Sequence, residues 1–143
     1  MLSGQLALIT AALFTGAAIY VSAVEHPARM TLGGTSPLVQ WKPAYMRGAA
    51  MQASLAIIGF LLGLLAWWQS GNWLWLAGAL VLVANWPYTL VIIMPVNNRL
   101  KDIDPADTDA PARELLETWA KLHAGRSALG VAATLLFLAA AMR

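Results

Sequence analysis

The chain has 143 residues, of which 59% are hydrophobic and 11% charged, with a mean hydropathy of +0.64. Soluble domains carry about 25% charged residues, so a water-soluble fold could not hide this much apolar surface, and lipid is the expected solvent. A formal net charge of +2 without a run of basic residues argues against a nucleic-acid partner, and the absence of Cys excludes disulfides and thiolate metal sites.

The first predicted span covers residues 2–24, close to the ~20 residues that cross a bilayer. It lacks the basic start and small-residue cleavage site of a signal peptide, so it is expected to be retained. Gly4, Gly16, Ala17 and Ser22 are small residues that let helices approach. The span closes on Glu25-His26-Pro27-Ala28-Arg29, where Pro27 marks a helix end or a kink. Thr31 to Trp41 holds Gly33, Gly34, Ser36 and Pro37 and reads as a loop.

Pro43 suits a helix start, and the second predicted span covers 44–68. Gly48, Gln52, Gly59 and Gly63 fall in one narrow sector of its wheel, which should face the bundle. Gln52 on that stripe needs a polar partner, because an unpaired amide in hydrocarbon is costly. The turn Gln69-Ser70-Gly71-Asn72 is flanked by Trp67, Trp68, Trp73 and Trp75, which read as an interfacial aromatic belt.

The third predicted span covers 73–94. Asn85 near its middle has two readings. It bonds the backbone groups that Pro87 frees, or it lines a pocket. Beyond Met94-Pro95-Val96-Asn97-Asn98 comes Lys101 to Asp109, an acidic stretch without the spacing, central Gly or closing Glu of a calcium loop, and so a solvated loop. Thr108 or Asp109 is expected to cap a helix beginning near Pro111. That helix starts amphipathic, with Arg113, Glu114, Glu117 and Lys121 outward, and becomes a fourth span over 120–142. The expected fold is all-α: one integral membrane four-helix bundle over residues 1–143, with an amphipathic extension before the last span.

Four spans put both termini on one side. Arg29, Lys42, Arg47, Arg99, Lys101, Arg113 and Lys121 gather on the long-loop side, against Arg143 opposite. The positive-inside rule then places the long loops in the cytoplasm and both termini outside.

Chemistry concentrates at the long-loop end. Trp119, His123 and Arg126 stand at i, i+4 and i+7 and share one helix face. Glu25, His26 and Arg29 from the first helix, Arg47 from the second and Asn97 and Asn98 from the third converge there. Arg126 is the deepest charge. Alone it reads as a snorkelling or ion-paired anchor with Glu25 as partner; beside His123 and Asn97 it reads as part of a site. Glu25, His26 and His123 also form a nominal two-His-one-carboxylate metal set, though adjacent Glu25 and His26 would need irregular backbone to converge. A third reading is a non-enzymatic membrane binding or assembly subunit, with a structural polar cluster and glycine faces that pack helices within one chain or in a homo-oligomer.

The motif Pro95-Val96-Asn97-Asn98-Arg99-Leu100, an acidic spacer and then Trp119-x-x-x-His123-x-x-Arg126 resemble the anthrone oxygenase-like family of small four-helix membrane proteins. Glu25-His26-Pro27-Ala28-Arg29 is similar to the close of the first helix in bacterial members, and the resemblance extends over nearly the whole chain. Studied members oxidise an anthrone to an anthraquinone with O₂ and without metal or flavin. The resemblance implies an oxygenase-like activity without fixing an anthrone as this chain's substrate, and the expected location is a bacterial inner membrane. It also implies that Asn97, His123 and Arg126 are polar active-site positions, with Trp119 alongside. Chemically, His123 suits a general base, its unperturbed pKa of about 6.5 lying near neutrality. Arg126 would stabilise an enolate or peroxide oxygen, and Asn97 with Asn98 would orient a carbonyl or hydroxyl. Trp119 would stack on the ring, with Glu25 and Gln52 beside the substrate. The expected partners are a small planar aromatic substrate and the bilayer.

Overall fold

The computed structural model describes residues 1–143. Four long helices carry almost the whole chain: α1 (Leu2–Met30), α2 (Ser36–Ser70), α3 (Trp73–Asp102) and α4 (Ala112–Ala141). Each is long and apolar enough to cross a membrane. At 1.5 Å per residue, the 35 residues of α2 extend about 50 Å, well beyond a ~30 Å hydrocarbon layer. The helices run up and down. α1 and α3 face each other across the bundle, and each packs along both α2 and α4. The architecture is an all-α four-helix bundle.

The core divides into two apolar clusters. Near the termini, Phe14, Leu82, Trp75 and Phe137 pack among alanines of all four helices. Toward the long loops, Leu38, Trp41, Ile93, Leu100, Leu116 and Trp119 form a second cluster. Between them, on every helix, lies a belt of polar side chains. The Phe137 ring needs bare backbone opposite it: a Cβ on Gly78 would stand 2.5 Å from its Cδ1, and one on Gly63 would stand 2.8 Å from its Cζ. Gly59 and Gly63 therefore face the bundle as their stripe predicts. Leu61, Leu80, Val91 and Leu135 remain exposed on the outer surface, where lipid supplies the missing contacts.

Several helix ends differ from expectation. Only residues 31–35 separate α1 from α2, because α2 starts at Ser36 rather than near Pro43. Pro37 occupies its first turn, where a missing N–H costs nothing, and Pro43 lies inside the helix. Asn97 and Asn98 belong to the last turns of α3. Neither Thr108 nor Asp109 caps α4, whose N-cap position is Pro111. Trp75 is not part of a belt. It is buried, with its ring 5.5 Å from Phe137, while Trp67, Trp68 and Trp73 stay outside.

Side chains from neighbouring helices close other ends. The Arg113 guanidinium donates to the carbonyls of Met30 and Leu32 at the end of α1, and Lys42 Nζ donates to those of Lys101 and Ile103 at the end of α3.

The prolines of α1 and α3 are accommodated by local widening. A helical proline clashes with the carbonyl four residues earlier, which is Ala23 for Pro27 and Val91 for Pro95. Both lie in wide π-type turns, Val21–Glu25 and Thr89–Ile93. Pro87 follows an interruption of the helix at Ala84, and Asn85 Nδ2 donates to Leu82 O beside it. The helices continue through the prolines, so Pro27 ends nothing and α1 carries Arg29 into the bundle.

Candidate functional site

Tertiary structure turns the polar belt into a cleft. From α4, Trp119, His123 and Arg126 lie on one inward face and are all buried. From α3 comes Asn97, fully buried, and from α2 comes Gln52, 3% exposed. α1 contributes Glu25, the last residue of its widened turn, and Arg29 one turn further on. With Trp41, Tyr45 and Gly48 of α2, these residues surround a cavity of about 30 Å³, enough to admit water.

Some of these groups are paired. Arg29 Nη2 donates to Glu25 Oε1 at 2.5 Å, and Arg29 Nε donates to Gln40 Oε1. Ser22 Oγ stands 3.1 Å from Nδ1 of His123. Asn97 Nδ2 donates to the Tyr45 hydroxyl at 3.1 Å, and the Tyr45 ring stacks on Trp41 with centroids 4.7 Å apart. Trp119 lies 4.9 Å from the His123 ring and meets Trp41 edge-on at 5.9 Å. It is a wall already packed on both neighbours, rather than a free stacking platform.

Arg126 is the exception. Glu25, its expected partner, is engaged by Arg29 in the one salt bridge of the chain. Arg126 is 8% exposed, its Nε is buried without a hydrogen bond, and its guanidinium carbon stands over the Phe14 ring, 5.7 Å from the centroid. A buried charge without a counter-ion is costly, so an arrangement that keeps one suits an anionic or strongly polar ligand.

The same holds for its surroundings. Arg29 Nη1, Trp41 Nε1, Gln52 Oε1, Asn97 Oδ1, Trp119 Nε1 and Arg126 Nε are buried without partners, and all six residues line this cavity. Buried polar atoms are normally satisfied, and exceptions call for a reason. Here they converge on one space, with four donors against two acceptors. Such a cavity fits an oxygen-rich, electron-rich guest.

Of the residues singled out in the sequence, His123, Arg126, Asn97, Trp119, Gln52 and Glu25 line the cleft. Asn98 does not: one residue on from Asn97, it is rotated by about 100° and lies exposed on the outer face. His26 sits beside Trp119 at 6.1 Å, outside the cavity wall. No three His, Asp or Glu side chains come together as metal ligands would need to, because Glu25 is turned to Arg29.

Sequence reasoning missed Ser22, Trp41 and Tyr45. The signal for two of them was present. Trp41, Tyr45, Gly48 and Gln52 are spaced i, i+4, i+7 and i+11, so the stripe from Gln52 runs straight back through them once the helix is started at Ser36.

Comparison with known proteins gives one family. The anthrone oxygenase family model matches residues 41–136, a stretch that includes Trp41, Tyr45, Gln52, Asn97, Trp119, His123 and Arg126 and leaves out α1. No curated protein and no solved structure matches the chain. With the match spanning most of α2, all of α3 and the buried face of α4, this chain belongs to the anthrone oxygenase family.

Proposed function

We propose that the protein is a membrane-embedded oxygenase that oxidises a planar phenolic, anthrone-type substrate with O₂ and needs no resident cofactor. The observation that carries this reading is Arg126, a guanidinium buried without an anion one helical turn from a histidine. A purely structural polar cluster would satisfy its own hydrogen bonds, and this one does not.

In this scheme the neutral His123 imidazole takes a proton from the carbon or hydroxyl that is acidified by the substrate's ketone. The resulting enolate is electron-rich enough to reduce O₂ directly. One electron passes to O₂, the substrate radical and superoxide combine, and a C–O bond forms. Protonated His123 returns its proton to the peroxide. Loss of the second proton from the same carbon, with O–O cleavage, leaves a carbonyl and releases water. The balance is a CH₂ group plus O₂ giving C=O plus H₂O. Arg126 stabilises first the enolate oxygen and then the peroxide by fixed charge in a dry site. Asn97 Oδ1 or Gln52 Oε1, both buried without a partner in the small cavity, accepts from the hydroperoxide O–H.

The basic residues at the long-loop end favour an orientation with those loops in the cytoplasm and both termini outside, in a bacterial inner membrane.

The test is O₂ uptake by the chelator-treated protein in lipid nanodiscs, with an anthrone as substrate. One O₂ should be consumed per anthrone, and His123→Ala should abolish uptake while leaving helicity and melting intact. No uptake by the wild-type chain, or full uptake by His123→Ala, would overturn the reading.

A further inference from the structure

The 30 Å³ cavity at His123 has room for a diatomic gas or a water, not for an aromatic ring. A second chamber adjoins it. This one, about 160 Å³, lies between α2 and α3 and shares Tyr45, Ala49 and Arg126 with the first. A cavity of about 150 Å³ with apolar walls is known to admit benzene, so size assigns a ring to the second chamber.

Its construction points the same way. α2 presents Ala49, Ala53 and Ala56 at i, i+4 and i+7, a flat floor without bulk. α3 presents Trp86 and Leu90, which are 40% and 56% exposed on the outer surface of the bundle, so the chamber opens sideways toward lipid. The Trp86 indole donates to Ala53 O at 3.2 Å and ties the two helices together at this opening. Three side chains of the wall carry buried polar atoms without partners: Asn85 Oδ1, Thr89 Oγ1 and Arg126 Nε. Asn85 has its amide nitrogen engaged by Leu82 O, so its oxygen is left to accept. Arg126 can only donate. Thr89 lies in the widened turn of α3, where the helix departs from α geometry.

We propose that this lateral chamber is the ring-binding subsite, loaded directly from the bilayer, and that the small cavity beside it holds O₂ and the peroxide. The ligand is a planar aromatic ketone with a hydroxyl. Its carbonyl oxygen takes the Arg126 end, and its hydroxyl donates to Asn85 Oδ1 or Thr89 Oγ1. This assignment rests on the oxygenase reading for the identity of the ring, while the chamber and its three polar atoms stand apart from any turnover.

The experiment uses the full chain in nanodiscs and two probes, 1,8-dihydroxyanthraquinone and unsubstituted anthraquinone. Binding is followed by the probes' absorbance, with empty nanodiscs subtracted for partitioning. Thr89→Val and Asn85→Leu should weaken the dihydroxy probe about 5- to 10-fold each, as loss of one hydrogen bond implies, and leave the unsubstituted one unchanged. Ala53→Leu, which fills the floor, should abolish binding of both. If Ala53→Leu does not fold, Thr89→Val decides alone. Wild-type-like binding of both probes in these variants overturns the subsite. Should the variants respond as stated while anthrone is not oxidised, the subsite stands and the oxygenase reading falls. If His123-dependent turnover is found but neither its KM nor probe binding responds, the subsite falls and the oxygenase reading stands.

Discussion

The Ser22 hydroxyl of α1 lies 3.1 Å from Nδ1 of His123 on α4, 101 residues away in sequence. The contact admits either direction, and the base role requires one of them: when Nδ1–H donates to Ser22 Oγ, Nε2 keeps the lone pair that a base needs. Ser22→Ala should therefore lower kcat about 5- to 10-fold, the worth of one hydrogen bond, with KM nearly unchanged. Ser22→Thr should recover most of the loss. Steady-state O₂ uptake for the three proteins checks this. Equal kcat values would mean that the hydroxyl does not orient the ring.

Arg126 separates stability from function. Arg126→Met removes a buried charge that has no counter-ion, so the ligand-free protein should become more stable, by about 1–3 kcal/mol. Turnover should fall 100-fold or more, since the group that faces the developing oxyanion is gone. Thermal unfolding in detergent and O₂ uptake read the two effects. A lower melting temperature would identify the guanidinium as a structural anchor.

Glu25 is the counter-ion of Arg29, whose side chain is 1% exposed against 23% for Glu25. Glu25→Gln leaves that guanidinium buried with only neutral partners, and should destabilise the fold by about 1–3 kcal/mol, the partial exposure of Glu25 moderating the loss. Adding Arg29→Met should restore most of it. Melting curves of the two single variants and the double variant form the cycle that measures this coupling. Additive single effects would show that the two residues act independently.

Packing at Phe137 gives a prediction without reference to chemistry. Gly78→Ala forces a Cβ to within 2.5 Å of the ring and should cost about 1–3 kcal/mol. Gly16 has nothing within 4 Å of the same position, so Gly16→Ala should be neutral or stabilising by up to about 1 kcal/mol. Similar melting temperatures for the two variants would contradict the packing described.

The features that read well from sequence were those set by average hydropathy or by one uninterrupted helix. The four apolar helices follow from composition, and the shared face of Trp119, His123 and Arg126 follows from spacing within α4. What sequence could not supply was rotation. Asn97 and Asn98 are chemically identical neighbours, and only the setting of α3 decides that the first is buried and the second exposed. The same difficulty hid the choice of Arg29 over Arg126 by Glu25, because the pair at i, i+4 forms only if α1 stays helical through Pro27. Trp75 was misread for a different reason. A tryptophan near a turn suits a headgroup belt on composition alone, and the small residue Gly4 that makes room for it lies on another helix.

The widened turns at Val21–Glu25 and Thr89–Ile93 each insert the equivalent of one extra residue into a rod that otherwise repeats every 3.6. Everything past the insertion is dialled round by about 100° relative to a regular helix. α1 and α3 thus have two independent azimuths, one serving the alanine-rich seam near the termini and one aiming Arg29 and Asn97 inward. Excising a single residue such as Ala23 or Val91 would reset the upper azimuth alone. It would sweep those side chains off the cleft while the lower seam stayed meshed.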